Sequence, residues 1–237
     1  MTQSLSITTR PDQAGTGPRP GPARPVTGNT RGLLVCGAVA GPLFVTVVVA
    51  QALTRTGFDL TRDAASMLDD GPWGWIQATN FIVTGLLLIA AATGLRRTLR
   101  TGPGHTWIPR LLTIAGAGMA GGGVFHPDPS GGFPPGTPRG ASAVASWHGV
   151  AHMVCGSTAF LALIAVCFVL ARRLAATGQR RAAACSRIAG ALCAVGVVTA
   201  GAPHGSLTLF TGVSLALLCV AIVTTRLIQL AQPSTAG

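Results

Sequence analysis

Residues 33–53 read LLVCGAVAGPLFVTVVVAQAL, a run of 21 residues without a charged side chain. A helix needs about 20 apolar residues to cross the roughly 30 Å hydrocarbon core of a bilayer, and this run has that length. Five further apolar runs follow it, at residues 75–95, 108–125, 147–170, 188–206 and 207–225. The sequence therefore predicts an all-α fold, a polytopic membrane helix bundle with six transmembrane helices.

The composition favours a membrane protein over a soluble one. Charged residues make up 10% of the chain and hydrophobic residues 49%, whereas a soluble domain carries about 25% charged residues. The net charge of +11 would suit a nucleic-acid-binding protein if it lay on one surface, but the arginines are scattered between the apolar runs. We expect the lipid bilayer as a partner and no nucleic acid.

Arginines in the connecting segments predict the orientation of the bundle, because cytoplasmic loops hold an excess of positive charge. The N-terminal segment, the second loop and the fourth loop are the basic ones, and they contain Arg10, Arg19, Arg24 and Arg31, then Arg96, Arg97, Arg100 and Arg110, then Arg172, Arg173, Arg180, Arg181 and Arg187. The first and third loops instead hold five of the six aspartates. We expect both termini in the cytoplasm and a multi-pass protein of the inner (plasma) membrane.

The ends of the chain differ in composition from its middle. Residues 1–31 are rich in Pro, Gly and Thr and poor in apolar residues, which is typical of a disordered segment. We therefore predict a disordered cytoplasmic tail at 1–31, a six-span membrane domain at 32–230 and a short cytoplasmic tail at 231–237. A cleaved signal peptide is the rival interpretation of the first span, but its polar lead-in is too long and its apolar run too extended.

Histidines collect around the third loop, in the segment FHPDPSGGFPPGTPRGASAVASWHGVAH at residues 125–152. His148 and His152 are four residues apart, which places them on one helix face, a spacing that suits a pair of metal ligands. The candidate metal site, with zinc as the metal, consists of His126, Asp128, His148, His152 and His204. Two alternatives stay open: haem ligation by a histidine pair, and interfacial histidines that only hydrogen-bond a backbone carbonyl.

A polar stripe on the second span points to a pocket at the same end of the bundle. Gln77, Asn80 and Thr84 are three and four residues apart, and polar groups within the hydrocarbon region usually face the bundle interior or a wet cavity. The ligand-binding candidates are therefore Gln77, Asn80, Asp128, His148 and His152. The first external loop, with Leu60, Ala64, Met67 and Leu68 at helical spacing, is expected to form a short helix that roofs this pocket.

Two functions are compatible with these residues. The first is the binding of a small molecule or lipid in a polar pocket near the extracytoplasmic face. The alternative is a metal-dependent (zinc) membrane hydrolase that uses the His148/His152 pair, with Asp128 as ligand or general base, because zinc lowers the pKa of bound water to about 7. Coupled transport is a weaker hypothesis, since no ionisable residue lies near the middle of a span. The sequence assigns no catalytic residue and leaves the oligomeric state open.

Three segments resemble a known family: RTGFDLTRDAASMLDDGPWGWIQATNFIVTGLLLIAAATGLRR at 55–97, GVFHPDPSGGFPPGTP at 123–138, and WHGVAHMVCGSTAFLALIAVCFVLARR at 147–173. They are similar to the bacterial membrane proteins of the domain-of-unknown-function 998 family, and the likeness covers about residues 33 to 230. The resemblance implies a six-helix integral membrane protein without an assigned biochemical activity.

Overall fold

A computed structural model describes residues 28–138, 140 and 145–230 of the protein. The first helix begins at Gly28, so residues 28–31 are helical, and the remainder of the N-terminal tail expected at 1–31 lies outside the described residues. The C-terminal tail expected at 231–237 also lies outside them.

Six α-helices make up the described fold: α1 (Gly28–Thr54), α2 (Gly74–Thr98), α3 (Trp107–Val124), α4 (Trp147–Ala176), α5 (Arg180–Val198) and α6 (Gly205–Leu230). A short 3₁₀ helix, Ala65–Asp69, lies between α1 and α2. No β-strand occurs in residues 28–138, 140 and 145–230. The prediction of an all-α six-helix bundle is confirmed.

Helix α5 differs most from its predicted span. It covers Arg180–Val198, whereas the apolar run was placed at 188–206. Its first two turns carry Arg180, Arg181 and Arg187. Arginines at a span end belong among the headgroups, so a prediction from hydropathy does not include these turns in the span. It ends at Val198, and Pro203 lies in the turn that follows.

Five of the six helices are long and apolar enough to cross a membrane, the exception being α3. Helix α3 is 18 residues long and contains Arg110 and five glycines. It packs between α2 and α4, so its neighbours cover much of its surface. The chain is thus a multi-pass membrane protein in which α3 is less apolar than the five helices that meet the length and hydropathy expected of a span.

The helices form a closed ring in chain order. Each helix packs against the next, and α6 packs against α1. Gly37 on α1 shows the closure, because a Cβ atom there would lie 2.7 Å from Thr224 of α6 and 2.8 Å from Ala91 of α2. Successive helices run antiparallel, so the segments 55–73, 125–138 and 199–204 meet at one end of the ring.

The two ends of the ring differ in charge. All five aspartates of the described residues lie in segments 55–73 and 125–146, and we call this end the acidic face. The opposite end, the arginine face, carries eleven of the thirteen described arginines: Arg31, Arg96, Arg97, Arg100, Arg110, Arg172, Arg173, Arg180, Arg181, Arg187 and Arg226. The arginine face is the one that we predict to be cytoplasmic.

Glycines allow α3 to approach both neighbours. A Cβ atom on Gly116 would lie 2.5 Å from the carbonyl oxygen of Gly85 on α2, and one on Gly118 would lie 2.6 Å from that of Cys155 on α4. Such distances are too short for a real side chain, so the helix backbones touch directly at these positions. The position of α3 in the ring therefore depends on its small residues.

Candidate ligand-binding site at the acidic face

Segment 55–73 folds over the ring as a cap. Arg55, just after α1, holds the cap from one side: its guanidinium donates hydrogen bonds to the carbonyl oxygens of Leu68 (3.1 Å) and Asp70 (2.6 Å). The same guanidinium lies 5.2 Å from the ring centre of Phe133 in the third loop, and Phe133 packs edge-on against Phe58 at 5.3 Å. The first and third loops therefore form one packed unit.

The cap is also bound to α6. The hydroxyl of Ser206, in the first turn of α6, donates a hydrogen bond of 2.9 Å to the carbonyl oxygen of Arg62. Arg62 pairs with the buried carboxylate of Asp63 at 2.8 Å, and the backbone N–H of Asp59 donates to the same carboxylate at 2.9 Å. The short helix expected in this segment is present as the 3₁₀ helix, with Leu68 fully buried.

Beneath the cap lies an apolar cavity of about 170 Å³. Its walls come from α2, α3, α4 and α6, with Phe81, Met119, Phe160 and Phe210 among the side chains, and Ala65 belongs to its roof. For scale, a cavity of about 150 Å³ admits a benzene-sized molecule. The cavity is the interior of the ring at its acidic end.

A wider groove of about 730 Å³ follows the outer surface of α4. The end of the groove at the acidic face is polar and includes Asp128, Ser66 and Ser130. The end further along α4 is apolar and includes Val154 and Leu161. The groove and the cavity share five residues, which are Ala64, Ser66, His152, Met153 and Ser157. The cavity inside the ring therefore adjoins the groove on the outer surface of α4, and these five residues lie between the two spaces.

His152 stands where the groove meets the cavity. Its Nδ1 atom lies 2.8 Å from the carbonyl oxygen of Phe125 and 3.0 Å from that of Gly122, both at the end of α3. Because both partners are acceptors, Nδ1 carries the hydrogen and donates, which makes Nε2 an acceptor in the neutral ring. His152 is 5% exposed and lines both spaces.

His148 and His152 are both on α4, but they have different partners. It is exposed, and its ring centre is 3.5 Å from that of Trp147. A four-residue spacing places two Cα atoms on one face of a helix, but the contacts of each side chain decide its direction. His148 stacks on Trp147 in an exposed position, whereas the Nδ1 atom of His152 is hydrogen-bonded to the end of α3.

Asp128 lies at the start of α4. Its Oδ2 atom accepts a hydrogen bond of 2.9 Å from the backbone N–H of Ser146, and the Ser146 hydroxyl accepts one of 3.0 Å from Gly149. Hydrogen bonding from Ser146, from its side chain first and then its backbone, lowers the pKa of Asp128. A negative charge at the N-terminus of a helix is favourable, so Asp128 is ionised at neutral pH at the polar end of the groove.

Two further carboxylates of the cap are buried without full hydrogen bonding. Within the described residues, both side-chain oxygens of Asp69 and Oδ2 of Asp70 have no hydrogen-bond partner. His126 lies beside them, with Nδ1 at 3.3 Å from Oδ2 of Asp69. Burial raises the pKa of Asp69 to about 6 and that of Asp70 to about 7. Sequence reasoning missed this pair; the only signal was two adjacent aspartates at the end of a helical pattern.

Residues 38–231 match the model of the family described as "Protein of unknown function (DUF998)". The chain belongs to the DUF998 family. No curated protein and no solved structure matches it. The DUF998 match covers all of α2 to α6 and most of α1, so the cap, the cavity and the groove lie within the family's own boundaries.

The polar stripe of this DUF998 protein faces α1, away from the histidines. Gln77 is fully buried, and its Oε1 atom accepts hydrogen bonds from Gln51 on α1 (2.8 Å) and from Asn80 (3.3 Å). Asn80 also donates to the carbonyl oxygen of Phe44 at 3.3 Å. Gln77 and Asn80 therefore join α1 to α2, and neither lines the cavity or the groove.

The residues predicted as metal ligands do not form one group in the described part of the DUF998 chain. His204 is exposed in the turn before α6, His126 faces Asp69, and the Nδ1 atom of His152 is already used by two carbonyl oxygens. In residues 28–138, 140 and 145–230, no three side chains of His, Cys, Asp or Glu are grouped so that they would hold a metal ion. The described residues thus give the zinc hypothesis no support.

Proposed function

We propose that this DUF998 protein binds a membrane lipid or a similar amphiphilic molecule at the acidic face, with its apolar end in the cavity and its polar end in the groove. The observation that carries the proposal is that the two spaces adjoin along Ala64, Ser66, His152, Met153 and Ser157, which line both. In this proposal a molecule in the bilayer enters the interior of the ring from the side, between these residues.

The polarity of the groove matches a headgroup at one end and a chain along the other. Asp128 and Ser130 lie at the polar end of the groove. Trp147 predicts that the membrane interface is at the same level, because tryptophans at span ends lie among the headgroups. Met153, Val154 and Leu161 are between 61% and 65% exposed along α4 and continue the groove toward the bilayer centre. Binding sites of this kind are mostly apolar with a few placed polar groups.

The charge of Asp128 favours a particular headgroup. The carboxylate is ionised at neutral pH and lies in the groove next to hydroxyls. An ammonium or hydroxyl group donates to such a carboxylate, whereas a bare phosphate is repelled by it. The expected ligand is therefore an amphiphile whose headgroup ends in an amine or a hydroxyl.

A cavity-filling variant tests the proposal. Gly156 lines the cavity, and a Cβ atom there would meet only the ring of Phe160, at 3.9 Å, so we expect Gly156→Leu to fill the cavity. Gly32→Leu is the matched control, because nothing lies within 4 Å of a Cβ atom at that position. Native mass spectrometry of the detergent-purified protein with added phosphatidylethanolamine is the measurement.

We expect the wild type and Gly32→Leu to retain bound lipid and Gly156→Leu to lose most of it at unchanged thermal stability. Equal lipid binding by all three proteins would overturn the proposal. A second variant, Ser157→Phe, blocks the groove at a residue shared with the cavity and is expected to act like Gly156→Leu.

A further inference from the structure

The arginine face contains a cavity of its own, about 320 Å³ in volume, between the end of α2 and the start of α3. Arg96, Arg100 and Arg110 line it together with His105. All four residues are exposed. The cavity therefore brings three guanidinium groups, contributed by both helices and by the segment between them, around one space.

These three arginines have no counter-ion in the described residues. The ion pairs there are Arg62 with Asp63 and His126 with Asp69, both at the acidic face, and all described aspartates lie at that face. The nearby hydrogen bonds are local: Arg100 donates through Nε to the carbonyl oxygen of Arg97 at 2.9 Å. Three uncompensated positive charges around one cavity create a strong local potential for an anion.

The cavity is placed at the level of the membrane interface. The guanidinium carbon of Arg110 lies 5.8 Å from the ring centre of Trp107, and Trp107 is 58% exposed at the start of α3. Exposed tryptophans at the ends of spans lie among the headgroups. The cavity also includes Thr93 and Thr113, about one turn further into the bilayer, so one of its sides faces the lipid.

We propose that this cavity binds the phosphate group of an anionic molecule, and that its source is the headgroup of an anionic phospholipid in the predicted cytoplasmic leaflet. Arginine suits the role because its planar donors match phosphate oxygens in pairs, and basic sites between membrane helices on this side bind anionic headgroups. A free phosphate has the same chemistry, so the test distinguishes the two sources.

The test compares two triple variants that remove the same charge. Arg96→Gln, Arg100→Gln and Arg110→Gln together empty the cavity of guanidinium groups. Arg172→Gln, Arg180→Gln and Arg181→Gln together remove three charges from the same face outside it. Binding of phosphatidylglycerol, phosphatidylcholine and inorganic phosphate to the detergent-purified full chain is measured by native mass spectrometry and by titration calorimetry.

We expect the wild type to prefer phosphatidylglycerol over phosphatidylcholine, and the cavity variant to bind phosphatidylglycerol at least tenfold more weakly than the control variant. If inorganic phosphate binds to the wild type, and only the cavity variant loses it, the site is a phosphate site with a soluble source. Equal losses in both triple variants, or no preference for an anionic ligand, would overturn the proposal.

A further variant covers the case in which the triple substitution impairs folding. Thr93→Phe fills the cavity from its exposed rim and keeps every charge. It is expected to weaken phosphatidylglycerol binding like the cavity variant while the thermal stability stays at the wild-type value. Wild-type affinity in a folded Thr93→Phe protein contradicts a bound headgroup in this cavity.

Discussion

The Nδ1 atom of His126 lies 3.3 Å from the Oδ2 atom of Asp69, and the two side chains differ sharply in exposure, at 57% for His126 and 0% for Asp69. The carboxyl group is thus inside the packed cap, while the imidazole beside it reaches the solvent. Asp70 lies next to it, with Arg55 and Asp128 near enough to influence its charge. This arrangement makes the acidic face sensitive to pH.

The first prediction is that the folded protein is more stable at pH 5 than at pH 8. Burial raises the pKa of Asp69 to about 6 and that of Asp70 to about 7, whereas an unfolded aspartate titrates near 3.9. The folded state therefore holds protons that the unfolded state has lost, and stability falls as the pH rises through the folded pKa values. Thermal unfolding in detergent between pH 5 and pH 8 measures the fall.

The double variant Asp69→Asn, Asp70→Asn should remove most of this pH dependence, because the amides do not ionise. Asp128→Asn is the control: the pKa of Asp128 is lowered, so its titration lies below this range. A melting temperature that rises with pH in the wild type would contradict the prediction, as would an unchanged slope in the double variant.

The second prediction concerns the contact between α2 and α3. A side chain at Gly85 would clash with the carbonyl oxygen of Gly116, so Gly85→Leu forces the helices apart and leaves other contacts unmade. We expect a loss of stability of about 1–3 kcal/mol or more, seen as a lower melting temperature or as aggregation on size exclusion. Gly32→Leu, at a position with open space, should behave as wild type; equal behaviour of both variants would refute the close approach.

The third prediction is an energetic coupling between Gln51 and Gln77. The Nε2 atom of Gln51 donates to Oε1 of Gln77 at 2.8 Å in a buried setting, and interhelical hydrogen bonds in membrane proteins average about 0.6 kcal/mol with a maximum of about 1.7 kcal/mol. A double-mutant cycle with Gln51→Ala and Gln77→Ala should give a coupling in this range. A cycle that pairs Gln51→Ala with Ser186→Ala, on α5, should be additive; additivity in both cycles would exclude the bond.

The sequence predicts the number of helices well because the part of a span inside the hydrocarbon must be apolar, and the arginine asymmetry is a property of the loops and helix ends rather than of packing. It predicts side-chain partners poorly. Gln77 and Asn80 form a stripe, as expected, but nothing in the spacing shows that the stripe faces α1. Their partner Gln51 is the only amide side chain in the first apolar run, and its position near the end of that run is the only signal for this contact.

The side-chain contacts of the cap are also hard to predict from the sequence. Asp69 and Asp70 read as exposed loop residues, since aspartates in a loop are normally solvated. Their burial depends on Arg55 and Phe133, which are far from each other in the chain and meet only when the first and third loops pack together. Contacts of this kind follow from the closed ring, and no local pattern encodes them.

The fourth prediction is that His148 and His152, which the sequence places as a pair, contribute differently to stability. His152 donates to the carbonyl oxygens of Phe125 and Gly122 while 5% exposed, so His152→Ala removes a buried tie between α3 and α4. Loss of such a bond with a partner left unsatisfied costs about 1–3 kcal/mol. His148→Ala removes an exposed ring stacked on Trp147 and should change stability by less than about 0.5 kcal/mol.

Metal content of the same two variants decides between this structural role and a shared metal site. If both histidines held one zinc ion, both variants would lose metal, and a chelator would destabilise the wild type and neither variant. With the observed geometry, only His152→Ala lowers the melting temperature, and a chelator has the same effect on all three proteins. Plasma mass spectrometry and thermal unfolding measure the zinc content and the melting temperature of one preparation. A loss of zinc in both variants would mean that the two side chains turn toward each other.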